Sequence, residues 1–91
     1  MTTLCIKAII SGKVQGVFYR RNAHKKAKKL GLTGWVKNNA DDTVELIACG
    51  DEEKINEFIS WLWKGPLFAR VSKVDWQKIP AEKYEDFIIQ R

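Results

Sequence analysis

The sequence predicts an α+β sandwich, βαββαβ with a short extra C-terminal strand, and three observations carry that prediction. The first dozen residues alternate apolar and other side chains with the period of a strand. Two later stretches repeat apolar residues with the period of a helix. Short β-type runs separated by turn residues fill the remaining length. In that order the elements form a mainly antiparallel sheet with two helices on one face, the ferredoxin-like arrangement. At 91 residues, the chain is read as one domain, 1–91, long enough for a single core but not for a separate binding domain.

Each element has its own justification. Leu4, Ile6, Ala8 and Ile10 alternate with Cys5, Lys7, Ile9 and Ser11, which gives the first strand one strongly apolar face. Tyr19, Ala23, Ala27 and Leu30 recur at helical spacing, and Gly31 stops that helix. Thr33 to Asn38 and Thr43 to Cys49 read as a hairpin, with Val44, Leu46 and Ala48 on one face and Asn39 to Asp42 in the turn. Asp51 is placed to cap a second helix, whose Ile55, Phe58, Ile59 and Leu62 make an i, i+3, i+4, i+7 stripe ending at Gly65-Pro66. Ala69 to Trp76 and Tyr84 to Gln90 are the last strand candidates, with a bulge expected where the alternation breaks around Val71 and Val74.

The most informative stretch is Ser11-Gly-Lys-Val-Gln-Gly-Val-Phe-Tyr-Arg-Arg21, a strand end, a loop with Gly12 and Gly16, and the first turn of a helix. Such a loop lets main-chain NH groups converge on an anion while the helix start adds its positive dipole end. Arg20 supplies a planar charged fork. Two glycines four apart more often form a plain surface turn; the neighbouring sequence decides between the two.

That neighbourhood contains Gly12-Lys-Val-Gln-Gly-Val-Phe-Tyr-Arg20, then Leu30-Gly31-Leu32 and Gly34-Trp-Val-Lys-Asn38, then Val44-Glu45, and later Ala69-Arg70-Val71. Over essentially its whole length the chain resembles the acylphosphatase family. The resemblance implies hydrolysis of acyl phosphates to a carboxylate and inorganic phosphate. By position it implies that the loop of Gly12, Lys13, Val14, Gln15, Gly16, Val17 and Phe18 binds the substrate phosphate, that Arg20 is the catalytic arginine, and that Asn38 orients the attacking water. Three positions depart from the usual pattern: Asn39 where Thr or a small polar residue is frequent, Asp42 at the usual glycine of the next turn, and Leu67 at a frequent proline.

The chemistry suits these residue types. An acyl phosphate is a mixed anhydride whose carboxylate departs without a proton, so no general acid is needed. The protein must hold the phosphoryl oxygens, stabilise their charge and aim a nucleophile in line. The carboxamide of Asn38 accepts a hydrogen bond from water but cannot take its proton at neutral pH. The resemblance implies that the proton passes to the substrate's own phosphate, with neither metal nor cofactor. No Walker loop, zinc-like Cys/His cluster or magnesium-type carboxylate motif appears in the sequence. His24, alone on a polar helix, is left out of the mechanism.

Composition and charge bound the remainder. Sixteen basic against eleven acidic side chains give a formal charge of +5, which favours anionic ligands without choosing among them. No apolar run is long enough to span a bilayer, and Met1-Thr2-Thr3-Leu4 lacks the parts of a signal peptide. The expectation is a cytoplasmic monomer acting on a small-molecule acyl phosphate, with neither nucleic acid nor membrane as partner. The rival is a non-catalytic phosphate- or RNA-binding module of the same fold. RNA-binding modules stack bases on aromatics of the central strands, whereas the open faces of strands one and three offer Cys5, Ile9, Thr43, Glu45 and Ile47. A regulatory segment like that of hydrogenase-maturation carbamoyl transferases is a second rival, set aside because this chain ends where the single domain ends. Cys5 and Cys49 would ordinarily be two buried thiols. Antiparallel pairing of strands one and three would instead bring them together, and the reading is an optional disulfide, reduced in the cell.

Overall fold

The computed structural model describes residues 2–90. Its elements are β1 (Thr3–Lys13), α1 (Tyr19–Lys29), β2 (Thr33–Asn38), β3 (Val44–Asp51), α2 (Glu52–Lys64), β4 (Arg70–Ile79) and β5 (Phe87–Ile89). The sheet order is β4-β1-β3-β2-β5. All neighbours are antiparallel except β2 and β5, which run parallel. The ferredoxin-like α+β arrangement is therefore present, with β5 as the short added edge strand.

The alternation of β1 does what its period requires. Ile6, Ala8 and Ile10 are fully buried beneath the helices, and so are Val44, Leu46 and Ala48 of β3 beside them. The stripe of α2 closes the same core through Ile55, Phe58 and Leu62, while α1 contributes Ala23 and Ala27. Small residues on α1 let its backbone lie close to the sheet.

Several boundaries and one cap differ from expectation. Strand β4 runs three residues further than Trp76, to Ile79, whereas β5 contracts to Phe87–Ile89. The bulge lies inside Val71–Val74 as expected: Ser11 opposes Lys73 but Gly12 opposes Val71, so Ser72 is the unpaired residue. Asp51 occupies the N-cap position of α2, but its side chain makes no capping hydrogen bond. It also belongs to β3, opposite Thr3, and strand geometry governs it there.

The face of the sheet away from the helices is not bare. Strands β4 and β5 lie at opposite edges, so the chain between them must cross the sheet, and Tyr84 from this strap packs with Ile79 and Trp35 against Cys5, Ile47 and Cys49. Cys5 and Cys49 are register partners on β1 and β3, 4.1 Å apart at Cα, and their sulfurs are joined as a disulfide. The Glu82 amide donates to Cys5 Sγ at 3.4 Å, tying the strap down on it. Trp35, from β2, adds an aromatic to this face that strands one and three do not supply, and Lys37 Nζ sits 5.5 Å above its ring.

Candidate active site

At one end of the sheet β1 leaves its pairing with β4 and enters α1, and β2 turns into β3. Gly12 and Lys13 still belong to β1, opposite Val71 and Arg70. Gly12 has φ 122°, and a Cβ there would run into the Arg70 carbonyl oxygen. Its lack of a side chain thus answers to the bulged neighbour strand. Gly16, by contrast, has φ 72° with open space around the Cβ position, so its backbone conformation alone calls for glycine.

Within the loop, Val14 and Val17 are buried anchors. Gln15 works sideways: its Nε2 donates to the carbonyls of Asn39 and Thr43, each at 2.9 Å. The loop is thereby tied to the β2–β3 turn, which carries Asn38 at its entrance. That turn accommodates the two departures from the family pattern. Asp42 takes the glycine's place at φ 71°. The Asn39 amide donates to the Thr43 carbonyl at 2.8 Å, and Asn39 Nδ2 donates to Thr43 Oγ1 at 3.1 Å. The Thr43 hydroxyl and amide donate to Asp41, at 2.6 and 3.1 Å, and hold its carboxyl below the ordinary value. Leu67, at the third departure, is 89% exposed and makes no demand on the core.

A concavity of about 720 Å³ lies between these parts. Gly16, Phe18, Arg20 and Arg21 line it on the loop and helix side, and Asn38 and Ile89 on the β2–β5 side. Phe18 stands at the N-cap of α1 with no side-chain cap, and no acidic residue occupies the first turn. The first amides of the helix therefore lack both intrahelical partners and a counter-charge. Arg20 and Arg21 add cations at the positive end of the helix dipole, which costs stability unless an anion is present. Arg20 Nη1 donates at 3.4 Å to the Gln90 carbonyl just beyond β5, and the other guanidinium donors make no hydrogen bond among the described residues.

Opposite them, Asn38 Oδ1 is buried with no hydrogen-bond partner, the one such side-chain atom among the described residues. A buried carbonyl oxygen left unpaired costs about 1–3 kcal/mol, so the site is complete only when a donor, a water or a ligand, fills it. Tyr19, next to Arg20 in sequence, is a strut: its buried hydroxyl donates at 2.7 Å to the Leu62 carbonyl of α2. Burial pushes its phenol well above the ordinary range.

The structure thus brings Val14, Gly16, Phe18, Arg20 and Asn38 to one concavity. Gly12, Lys13, Gln15 and Val17 do not line it; the first two extend β1, and the other two fix the loop. Arg21, Ile89 and the Gln90 carbonyl also meet this opening, and no motif in the sequence marks them. Helical spacing turns Arg21 about 100° from Arg20, but at a helix start both directions can border one opening.

The same pattern recurs in known proteins. A family model for acylphosphatase matches residues 6–89. An acylphosphatase of Coxiella burnetii (strain Dugway) is 52% identical over 86 residues, 94% of this chain and 90% of that relative. Among solved structures, an acylphosphatase from Coxiella burnetii superposes with a TM-score of 0.94 at 50% identity, covering 97% of this chain and 93% of that one. The acylphosphatase from Bacillus subtilis reaches the same TM-score at 32% identity, covering 97% and 99%. Fold, loop and sequence agree over nearly the full length, and the chain belongs to the acylphosphatase family.

Proposed function

We propose that the concavity between α1 and β2 is where this chain hydrolyses acyl phosphates, with Arg20 and the main-chain amides around Gly16–Phe18 and the helix start gripping the phosphoryl group and Asn38 steering the water. The chain cleaves the carboxyl–phosphate bond to give a carboxylate and inorganic phosphate. Water held by Asn38 Oδ1 attacks phosphorus, the P–O bond to the acyl group breaks, and the carboxylate leaves with the electron pair. The water's proton passes to a phosphoryl oxygen of the substrate. Asn38 positions without acting as base, because an amide oxygen does not take a proton at neutral pH.

The observation that carries this reading is the unpaired, buried Asn38 Oδ1 in the same concavity as Arg20 and the uncapped start of α1. An acceptor for water, a cationic fork and a set of free amides are what in-line displacement on phosphorus asks of a protein. In this reading the enzyme works as a cytoplasmic monomer without a metal ion or nucleic-acid partner, since one chain supplies every group and Arg20 supplies the charge. Among the described residues, no helix is long and apolar enough to cross a membrane. The strap across the open face also weighs against RNA stacking, because Tyr84 and Ile79 cover the surface that such a module would use.

Hydrolysis of benzoyl phosphate in the presence of a chelator tests the proposal. Wild-type enzyme is expected to turn over at an undiminished rate. Arg20→Lys is expected to lose about 10²–10³ in kcat/KM, because a point charge cannot reproduce the planar fork. A chelator-sensitive rate would refute the metal-free reading, and full activity in Arg20→Lys would refute the site.

A further inference from the structure

Phe18 is held in a conformation that its side chain disfavours. It is a non-glycine residue at φ 63°, ψ 23°, left-handed backbone that strains any residue bearing a Cβ and is seldom occupied by a bulky one. Folding alone would favour glycine or asparagine there. Its ring belongs to neither apolar cluster and is 65% exposed. Yet its place is fixed, because its carbonyl accepts both the Asn22 amide at 3.0 Å and Asn22 Nδ2 at 2.9 Å. An aromatic ring unused by the core and carried on a strained, anchored backbone points to contact with a ligand.

The ring borders two openings. One is the concavity with Arg20 and Asn38; the other, of about 430 Å³, is lined by Arg21, His24 and Lys25 as well. In-line displacement fixes how a substrate spans them. Water enters from the Asn38 side, on the β2 wall, so the acyl oxygen leaves from the opposite side of phosphorus. Phe18 stands on the loop and helix side of the same concavity, beside the phosphoryl grip, as an exposed apolar side chain that the leaving acyl group can meet. An acetyl group ends next to the breaking bond, whereas an aryl or extended acyl group continues across the ring toward the second opening.

Resting on the site assignment above, we propose that the Phe18 side chain is the acyl-recognition platform, selecting acyl phosphates with aryl or other extended apolar acyl groups over acetyl phosphate. A flat aroyl group gains an offset-stacked contact with the ring. Acetyl, with a single methyl group, gains little.

The readout is the ratio of kcat/KM for benzoyl phosphate to that for acetyl phosphate, measured on the full chain and on Phe18→Gly, Phe18→Asn and Phe18→Trp. Glycine and asparagine tolerate the left-handed backbone, so these variants remove the ring while the loop keeps its shape. The ratio is expected to fall about tenfold in both and to stay within about threefold of wild type in Phe18→Trp. A change of less than about threefold in the glycine and asparagine variants, with both substrates slowing in proportion, overturns the proposal. So does a fall in Phe18→Trp equal to that in Phe18→Gly. Arg20→Ala, assayed on both substrates alongside, separates the two ideas: retained hydrolysis of both would sink the site assignment itself, whatever the Phe18 ratio does.

Discussion

At the scale of single residues, Asn38 and Arg20 divide the labour in a way that experiment can resolve. In the proposed mechanism Arg20 faces the phosphate in ground and transition state alike, whereas Asn38 acts on the water. Asn38→Ala is therefore expected to lower kcat by about 10²–10³ while competitive inhibition by inorganic phosphate changes little. Equal losses in both would make Asn38 a phosphate ligand instead. That both residues meet at one concavity was legible in the sequence because their flanking motifs are dense. Less legible was the division within the loop. Glycine at position 12 looks like a ligand-facing glycine, yet it serves the close approach of Arg70 and Ser72. Gln15 looks like a phosphate-loop residue, yet its amide braces the β2–β3 turn. Spacing shows where a backbone must bend, not which neighbour it bends for.

At the scale of elements, strand and helix periods located β1, α1, the hairpin and α2 to within a residue or two. The final connection escaped, since no local pattern says that β5 lies beside β2 at the far edge. Only that topology makes residues 80–86 cross the open face and pack Tyr84 against Cys5, Ile47 and Cys49. The link between Cys5 and Cys49 depends on the register of β1 with β3, and it closes a loop of sequence separation 44. Chain-entropy reasoning gives about 4 kcal/mol for such a closure. Urea unfolding of oxidised and reduced protein is expected to differ by about that amount, and Cys49→Ser is expected to ignore reductant. Identical midpoints for the oxidised and reduced forms would show that the sulfurs contribute no constraint.

The whole molecule carries an electrostatic argument that neither scale contains. The +5 charge is unevenly committed: Lys7 pairs with Glu45, Lys26 with Glu57 and Lys28 with Asp86, while Lys25 and Lys29 on α1 have no carboxylate partner among the described residues. Both are exposed on the helix whose first turn lines the site. Their field extends toward an approaching phosphate but decays over about 10 Å at 0.1 M salt. Raising ionic strength from about 20 to 500 mM is therefore expected to lower kcat/KM several-fold, chiefly through KM, because capture of the anion weakens while the chemical step inside the concavity does not. Salt acting on Arg20 alone would give a similar fall, so the distinguishing measurement is the slope in Lys25→Gln/Lys29→Gln. If the lysines steer substrate, the double variant starts with a higher KM at low salt and converges with wild type at high salt. Parallel curves would leave the site's own charge as the sole source of attraction and make the basic face of α1 a solvation feature only.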